Sequence, residues 1–124
     1  MTTKKRQPCR PRHGPTIAER EYQLVTTEGV RSVRLRLGEP LPDGDDACCF
    51  YQIDGLEPDG PIIRWVMGVD GVQALQLAMQ LAATELMSTG AYDAGRLTFY
   101  GSFDLGLPVP ENVAHLVRKD PEPG

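Results

Sequence analysis

The chain reads as an α+β domain: an antiparallel four-stranded meander with one long helix packed on one face, plus a short C-terminal strand. Three observations predict it. Four short segments rich in β-branched and aromatic residues, each bounded by Gly or Pro, fill the first half. One run of strong helix formers follows them, "GVQALQLAMQLAATELM". The length, 124 residues, suits one domain with a modest core.

The elements follow in order. "IAEREYQLVTT" and "VRSVRLRL" form a hairpin about Glu28-Gly29. A two-residue turn there sets Tyr22 against Leu35 and Leu24 against Val33 on one face. It sets Glu21 against Arg36 and Gln23 against Arg34 on the other, so apolar meets apolar and acid meets base in one register. "GEPLPDGDD" is then a polar loop. In the third strand, "ACCFYQIDGL", Cys49, Tyr51 and Ile53 point inward and Phe50 outward. In the fourth, "IIRWVMGV", Ile63, Trp65 and Met67 share one face and Arg64 and Val66 the other.

Asp70 caps the helix, Gln73 reaches back to complete a capping box, and Gly90 ends the helix as a left-handed stop. At about 100° per residue, Val72, Leu75, Met79, Ala82 and Leu86 fall in one arc for the sheet. "LTFY" is the short C-terminal strand, and a short helix follows Pro110. The predicted organisation is a disordered basic arm at 1–15, one domain at 16–118, and a loose tail at 119–124.

Composition narrows the function. With 40% hydrophobic and 24% charged residues the chain falls among ordinary soluble proteins. No apolar run approaches the roughly 20 residues that span a bilayer, and no apolar segment follows the N-terminal basic residues. A cytoplasmic protein with no membrane partner is the expectation. The first fourteen residues hold Lys4, Lys5, Arg6, Arg10 and Arg12 and no acid. The body keeps all seventeen acids against eight basic residues, which leaves it near −9. Such an arm has the charge to contact nucleic acid, or to lie against its own acidic body.

No catalytic, cofactor or metal constellation stands out. His13 and His115 have no companion at ligand spacing, the three cysteines lack CxxC spacing, and HExxH, GxSxG and phosphate-loop patterns are absent. An outward row of Arg34, Arg36 and Arg64 beside Phe50 has the makings of a base-stacking sheet, although cross-strand pairing explains the arginines more simply.

The helix is the informative element. From Gly71 to Thr84 it carries no charge. Gln73, Gln76, Gln80 and Thr84 make a narrow polar stripe, with Leu77 and Leu81 beyond it. Two kinds of cover fit. One is the C-terminal segment with Leu105, Leu107, Val109, Val113 and Leu116. The other is a second copy or a protein partner on the helix over 70–89, since charge depletion marks the centre of interfaces.

The stretch "YQIDGL…RWVMGVDGVQALQLAMQLAATEL" resembles a family of small bacterial proteins that form a domain of unknown function. Gly68, Asp70, Val72, Gln73, Ala74 and Leu75 carry the resemblance, with "VRLRLGEP" before and "LGLP" after, over roughly 17–110. It implies a compact α+β fold and a bacterial cytoplasmic setting, and no activity. The reading is then a non-enzymatic interaction module, of the kind that immunity or adaptor proteins represent. The alternatives are a nucleic-acid accessory protein using the basic arm, and a small enzyme with an unrecognised site. Loss of binding on removing 1–14 marks the second, and a concave polar pocket marks the third.

Overall fold

The computed structural model describes residues 14–56, 58 and 60–121. Lys4, Lys5, Arg6, Arg10 and Arg12 lie outside the described residues. The elements are β1 (Thr16–Thr26), β2 (Gly29–Gly38), β3 (Leu41–Asp43), β4 (Asp46–Asp54) and β5 (Ile62–Gly68), then α1 (Gly71–Met87), α2 (Gly90–Asp93), β6 (Leu97–Thr98) and a 3-10 turn at Glu111–Leu116. The α+β class is as the sequence predicts, but among the described residues the sheet has six strands, one more than the predicted meander of four and short C-terminal strand.

The additional strand, β3, and the place of the predicted C-terminal strand have physical causes. The loop 38–46 is not irregular: after a one-residue slip at Gly38–Pro40 the chain rejoins β4 as β3, with Leu41 opposite Cys48 and Asp43 opposite Asp46. Strands β2 and β3 thus serve as one bent strand beside β4. At the far side β6 pairs with β1, Leu24 opposite Leu97, so the C-terminal strand closes the edge of the first. Among the described strands β5 pairs with β4 alone.

The β1–β2 turn comes one residue earlier than predicted. Thr26 pairs with Gly29, Tyr22 with Val33, Glu21 with Arg34 and Glu19 with Arg36. The Thr26 hydroxyl sets this: it donates to the Gly29 carbonyl (2.8 Å) and accepts from the Glu28 N–H (3.2 Å). Gly29 supplies the positive φ, 118°, just after the turn. The shift moves each partner by two residues, so every side chain keeps its predicted face.

Tyr22, Leu24, Val33, Leu35, Leu37, Cys49, Tyr51, Ile53, Ile62 and Val66 form the sheet's contribution to the core. Helix α1 lies over β4 and β5 on this face. Its buried ridge is Ala74, Ala78, Ala82 and Leu86, an i, i+4 row of mostly small residues. The predicted arc was centred on larger side chains. Val72 proves 76% exposed, and Leu75 and Met79 are half-buried at the arc's flank. Close approach favours alanine: at Gly68 a Cβ would overlap the Ala74 backbone, so the helix starts directly against β5.

Asp70 caps α1 as expected, accepting from the Gln73 N–H at 2.9 Å. Gln73 does not reach back to the cap; its Oε1 accepts from the Val69 N–H at 2.8 Å, one residue earlier. Nor does Gly90 stop the helix. Ser88 ends it with an ordinary negative φ, and Thr89 caps the next helix by accepting from the Tyr92 N–H at 3.1 Å.

Candidate functional site

The polar centre of the helix side is built from three elements. Glu85 is the first charge after the long neutral run of α1, and it faces the sheet. Its carboxylate accepts from the Tyr51 hydroxyl of β4 (2.5 Å) and pairs with Arg64 of β5 (3.2 Å). Burial, and then the adjacent carboxylate, push the Tyr51 phenol far above its ordinary range, while Arg64 pulls the other way. The tyrosine is therefore a fixed hydrogen-bond donor at neutral pH.

Arg64 consequently does not join the outer arginine row. Register places it opposite Tyr51 on the helix side, while Arg34 and Arg36 face away. Arg36 lies between Glu19 (3.5 Å) and Asp54 (3.7 Å), so the outer arginines are part of a cross-strand charge ladder.

Glu85 also fixes the orientation of its flank of α1. Leu77, Leu81 and Glu85 form an i, i+4 row, so the two leucines run along the same side of the helix that meets Arg64. Leu81 is 45% exposed and Leu77 half-buried against the core. The helix packs over β5, which among the described strands pairs with β4 alone. The glutamine stripe is divided. Gln73 is used on the Val69 N–H, and the Thr84 hydroxyl donates to the Gln80 carbonyl at 2.9 Å. Gln76 is exposed and Gln80 half-buried, carrying the rest of the stripe.

The C-terminal segment packs elsewhere. The Leu105 carbonyl accepts from the Tyr22 hydroxyl (2.8 Å) and from Arg20 (3.1 Å), and Gly106 accepts from Arg20 as well (2.8 Å). Tyr92 donates to the Phe103 carbonyl (2.9 Å) and accepts from the Arg118 N–H (2.9 Å). Asp120 accepts from Ser102 (2.6 Å) and the Phe103 N–H (2.7 Å), bonds that hold its carboxyl below the ordinary range. These contacts lay the segment over β1, β6 and α2. The main packing partners of α1 are β2, β4, β5 and α2.

Among the described residues no group of three or more His, Cys, Asp or Glu is placed to hold a metal, and His115 is exposed on the 3-10 turn. No helix there is long and apolar enough to cross a membrane. The sequence reading missed Glu85. The available signal was its place one turn past Leu81, on the side of the helix next to the buried alanines.

A small α+β domain with an antiparallel sheet, one long helix and a C-terminal clasp defines the class. The family model described as Domain of unknown function (DUF6968) matches residues 18–109, and the chain belongs to that family. No curated protein and no solved structure matches it.

Proposed function

We propose that the protein is a non-enzymatic interaction module whose partner is a second copy of itself, bound along the Leu77–Leu81 flank of α1 and the side of β5 away from β4. The observation that carries this is the exposed Leu81 on the helix that packs over β5, whose side away from β4 pairs with no other described strand. Backbone N–H and C=O groups on the open side of a strand are a template for another strand. An antiparallel β5–β5 contact across a two-fold axis would continue the sheet and bring the two Leu77–Leu81 rows together. Gln80 supplies neutral hydrogen bonding beside the leucines, without the desolvation cost of a charge.

The test is the solution mass of the full chain by size exclusion with light scattering, compared with Leu81→Glu. The expected result is a dimer that becomes a folded monomer, because a carboxylate at the centre of the contact must be desolvated. A wild-type monomer at high protein concentration overturns the homodimer. A dimer that survives the substitution moves the contact away from α1.

A further inference from the structure

The turn that follows β6 holds an aromatic residue where its backbone favours another kind. Phe99 and Ser102 exchange both backbone hydrogen bonds, at 2.8 and 2.9 Å, around Tyr100-Gly101. Tyr100 has φ 49° and Gly101 φ 81°, so both central residues of this two-residue turn are left-handed. Among the described residues Tyr100 is the one non-glycine at positive φ. Such turns take Asn or Asp before Gly, because a short polar side chain tolerates the conformation and a bulky one strains it.

Three parts of the chain hold the turn in this shape. Gln23 of β1 accepts from the Tyr100 N–H at 3.0 Å. At the foot of the turn Asp120 accepts from the Ser102 hydroxyl and the Phe103 N–H. The Phe99 ring meets the Tyr22 ring at 5.6 Å, the Arg20 guanidinium at 4.6 Å and the Tyr100 ring at 4.7 Å. Burial falls along this row: Tyr22 is 0% exposed, Phe99 half-buried and Tyr100 85% exposed. A Cβ on Gly101 would meet nothing within 4 Å, so the tip stands clear. The Tyr100 ring therefore adds little to the core, yet a strained backbone is kept for it. Strain fixed by its surroundings, at a rigid displayed ring, marks a recognition element.

The surroundings decide what the ring takes. Guanidinium already lies on a ring twice in this region, Arg20 on Phe99 and Arg118 on Phe103 at 4.7 Å. Both arginines are also tied to carbonyls, Arg20 to Leu105 and Gly106, Arg118 to Asp93. Glu21 lies on the same face of β1 as Gln23, Asp104 follows the foot of the turn, and Asp120 is bonded to it; all three acids are exposed. The chain as a whole has a net charge of −4. That field draws a basic segment and repels a phosphate backbone. Arginine suits the ring better than lysine, since its planar guanidinium stacks on an aromatic face. The geometry points to the Tyr100 turn as a docking knob for a basic segment of a protein partner, with an arginine of that segment laid on the Tyr100 ring and Glu21 and Asp104 beside it. The turn lies at the β6 end of the sheet and β5 at the β4 end, so this contact is separate from the one proposed along α1.

The test titrates nona-arginine amide into the full chain and into Tyr100→Asn at about 0.15 M salt, read by NMR on backbone and ring signals. Nona-lysine amide is the control for charge alone. Nona-arginine should move the signals of Phe99, Tyr100 and Gly101 and should bind Tyr100→Asn about two- to thirty-fold more weakly. Nona-lysine should bind both chains alike, and more weakly than nona-arginine binds the unaltered one. In urea, Tyr100→Asn should unfold at an equal or higher midpoint, because Asn suits the turn and little burial is lost. A lower midpoint would make Tyr100 a residue of the fold and overturn the knob. Equal binding of nona-arginine by the two chains, or unmoved Tyr100 signals, would overturn the arginine contact. Oligothymidine moving Tyr100 where nona-arginine does not would give the turn to single-stranded nucleic acid instead.

Discussion

Tyr22 and Tyr51 present one hydroxyl each to the helix side of the sheet, and the acceptors differ in kind. Tyr22, fully buried, donates to the Leu105 carbonyl. Tyr22→Phe removes that bond and leaves the carbonyl with Arg20, so a loss of about 0.5–1.5 kcal/mol is expected, read as a lower urea midpoint with unchanged slope. Burial pushes the Tyr22 phenol up to about 12. The folded state therefore keeps a proton that the unfolded chain releases near its ordinary value of 10.0. Stability from this group is complete below that value and falls as pH rises towards about 12. Tyr51 is displaced in the same direction, so the alkaline loss should be steep, and Tyr22→Phe should make it shallower. Urea midpoints measured from neutral to alkaline pH check both; a flat profile sinks the assignment. At Glu85, Gln and Leu separate two roles. Glu85→Gln retains an acceptor for Tyr51 and removes the charge facing Arg64, which is 57% exposed, so less than about 1 kcal/mol is expected. Glu85→Leu leaves the Tyr51 hydroxyl without its acceptor, at a cost of about 1–3 kcal/mol. Equal losses would place the stabilisation in the ion pair instead.

At the scale of elements, the helix is set by its smallest residues. The ridge Ala74–Ala78–Ala82 lies at 0% exposure while Val72 faces out, so bulk on the ridge has no room. Ala78→Leu should cost about 1–3 kcal/mol through overpacking, and Val72→Leu close to nothing. Thermal or urea unfolding of the pair tests the helix rotation directly, and the reverse order would restore the arc read from the larger side chains. That arc was legible only in part because hydrophobic weight favours Leu and Met, whereas the contact depends on how near the backbones come. Hairpin faces were legible because the period of two survives a shifted turn. The turn itself hinged on a Thr26 hydroxyl that no pattern of polarity reveals. Strand β3 was hidden for a similar reason: a loop full of Pro, Gly and Asp still pairs once a one-residue slip absorbs the bend. Leu77 and Leu81 were legible as residues beyond the polar stripe. The place of β5 at the end of the described strands was not, since it is decided by β6 joining β1, not by anything within β5.

For the whole molecule, the helix-side face has two covers that differ in regularity. Helix α1 takes β4 and β5, and the C-terminal segment takes β1 with α2 and β6. The second cover is irregular chain, but it is fastened at both ends, by Tyr22 and Arg20 on Leu105 and Gly106, and by Tyr92 and Asp120 on Phe103 and Arg118. Leu105 is buried, and Phe103, Leu107, Val113 and Leu116 pack against the core. Each such side chain contributes up to about 1.5–3 kcal/mol when fully buried. A domain of this size holds only about 5–15 kcal/mol in total. Removing residues 102–124 would forfeit much of that margin and also leave the Tyr22 and Tyr92 hydroxyls without their acceptors. The truncated chain should therefore be unfolded at room temperature, with far-UV circular dichroism lacking the sheet and helix signals. The full chain should unfold in one step, with Trp65 emission and circular dichroism coinciding. A truncated chain that keeps its native spectrum would mean that α1 and the sheet are self-sufficient. The C-terminal clasp would then be a separable strap over β1, and the core would have to be redrawn around β2, β4 and β5 alone.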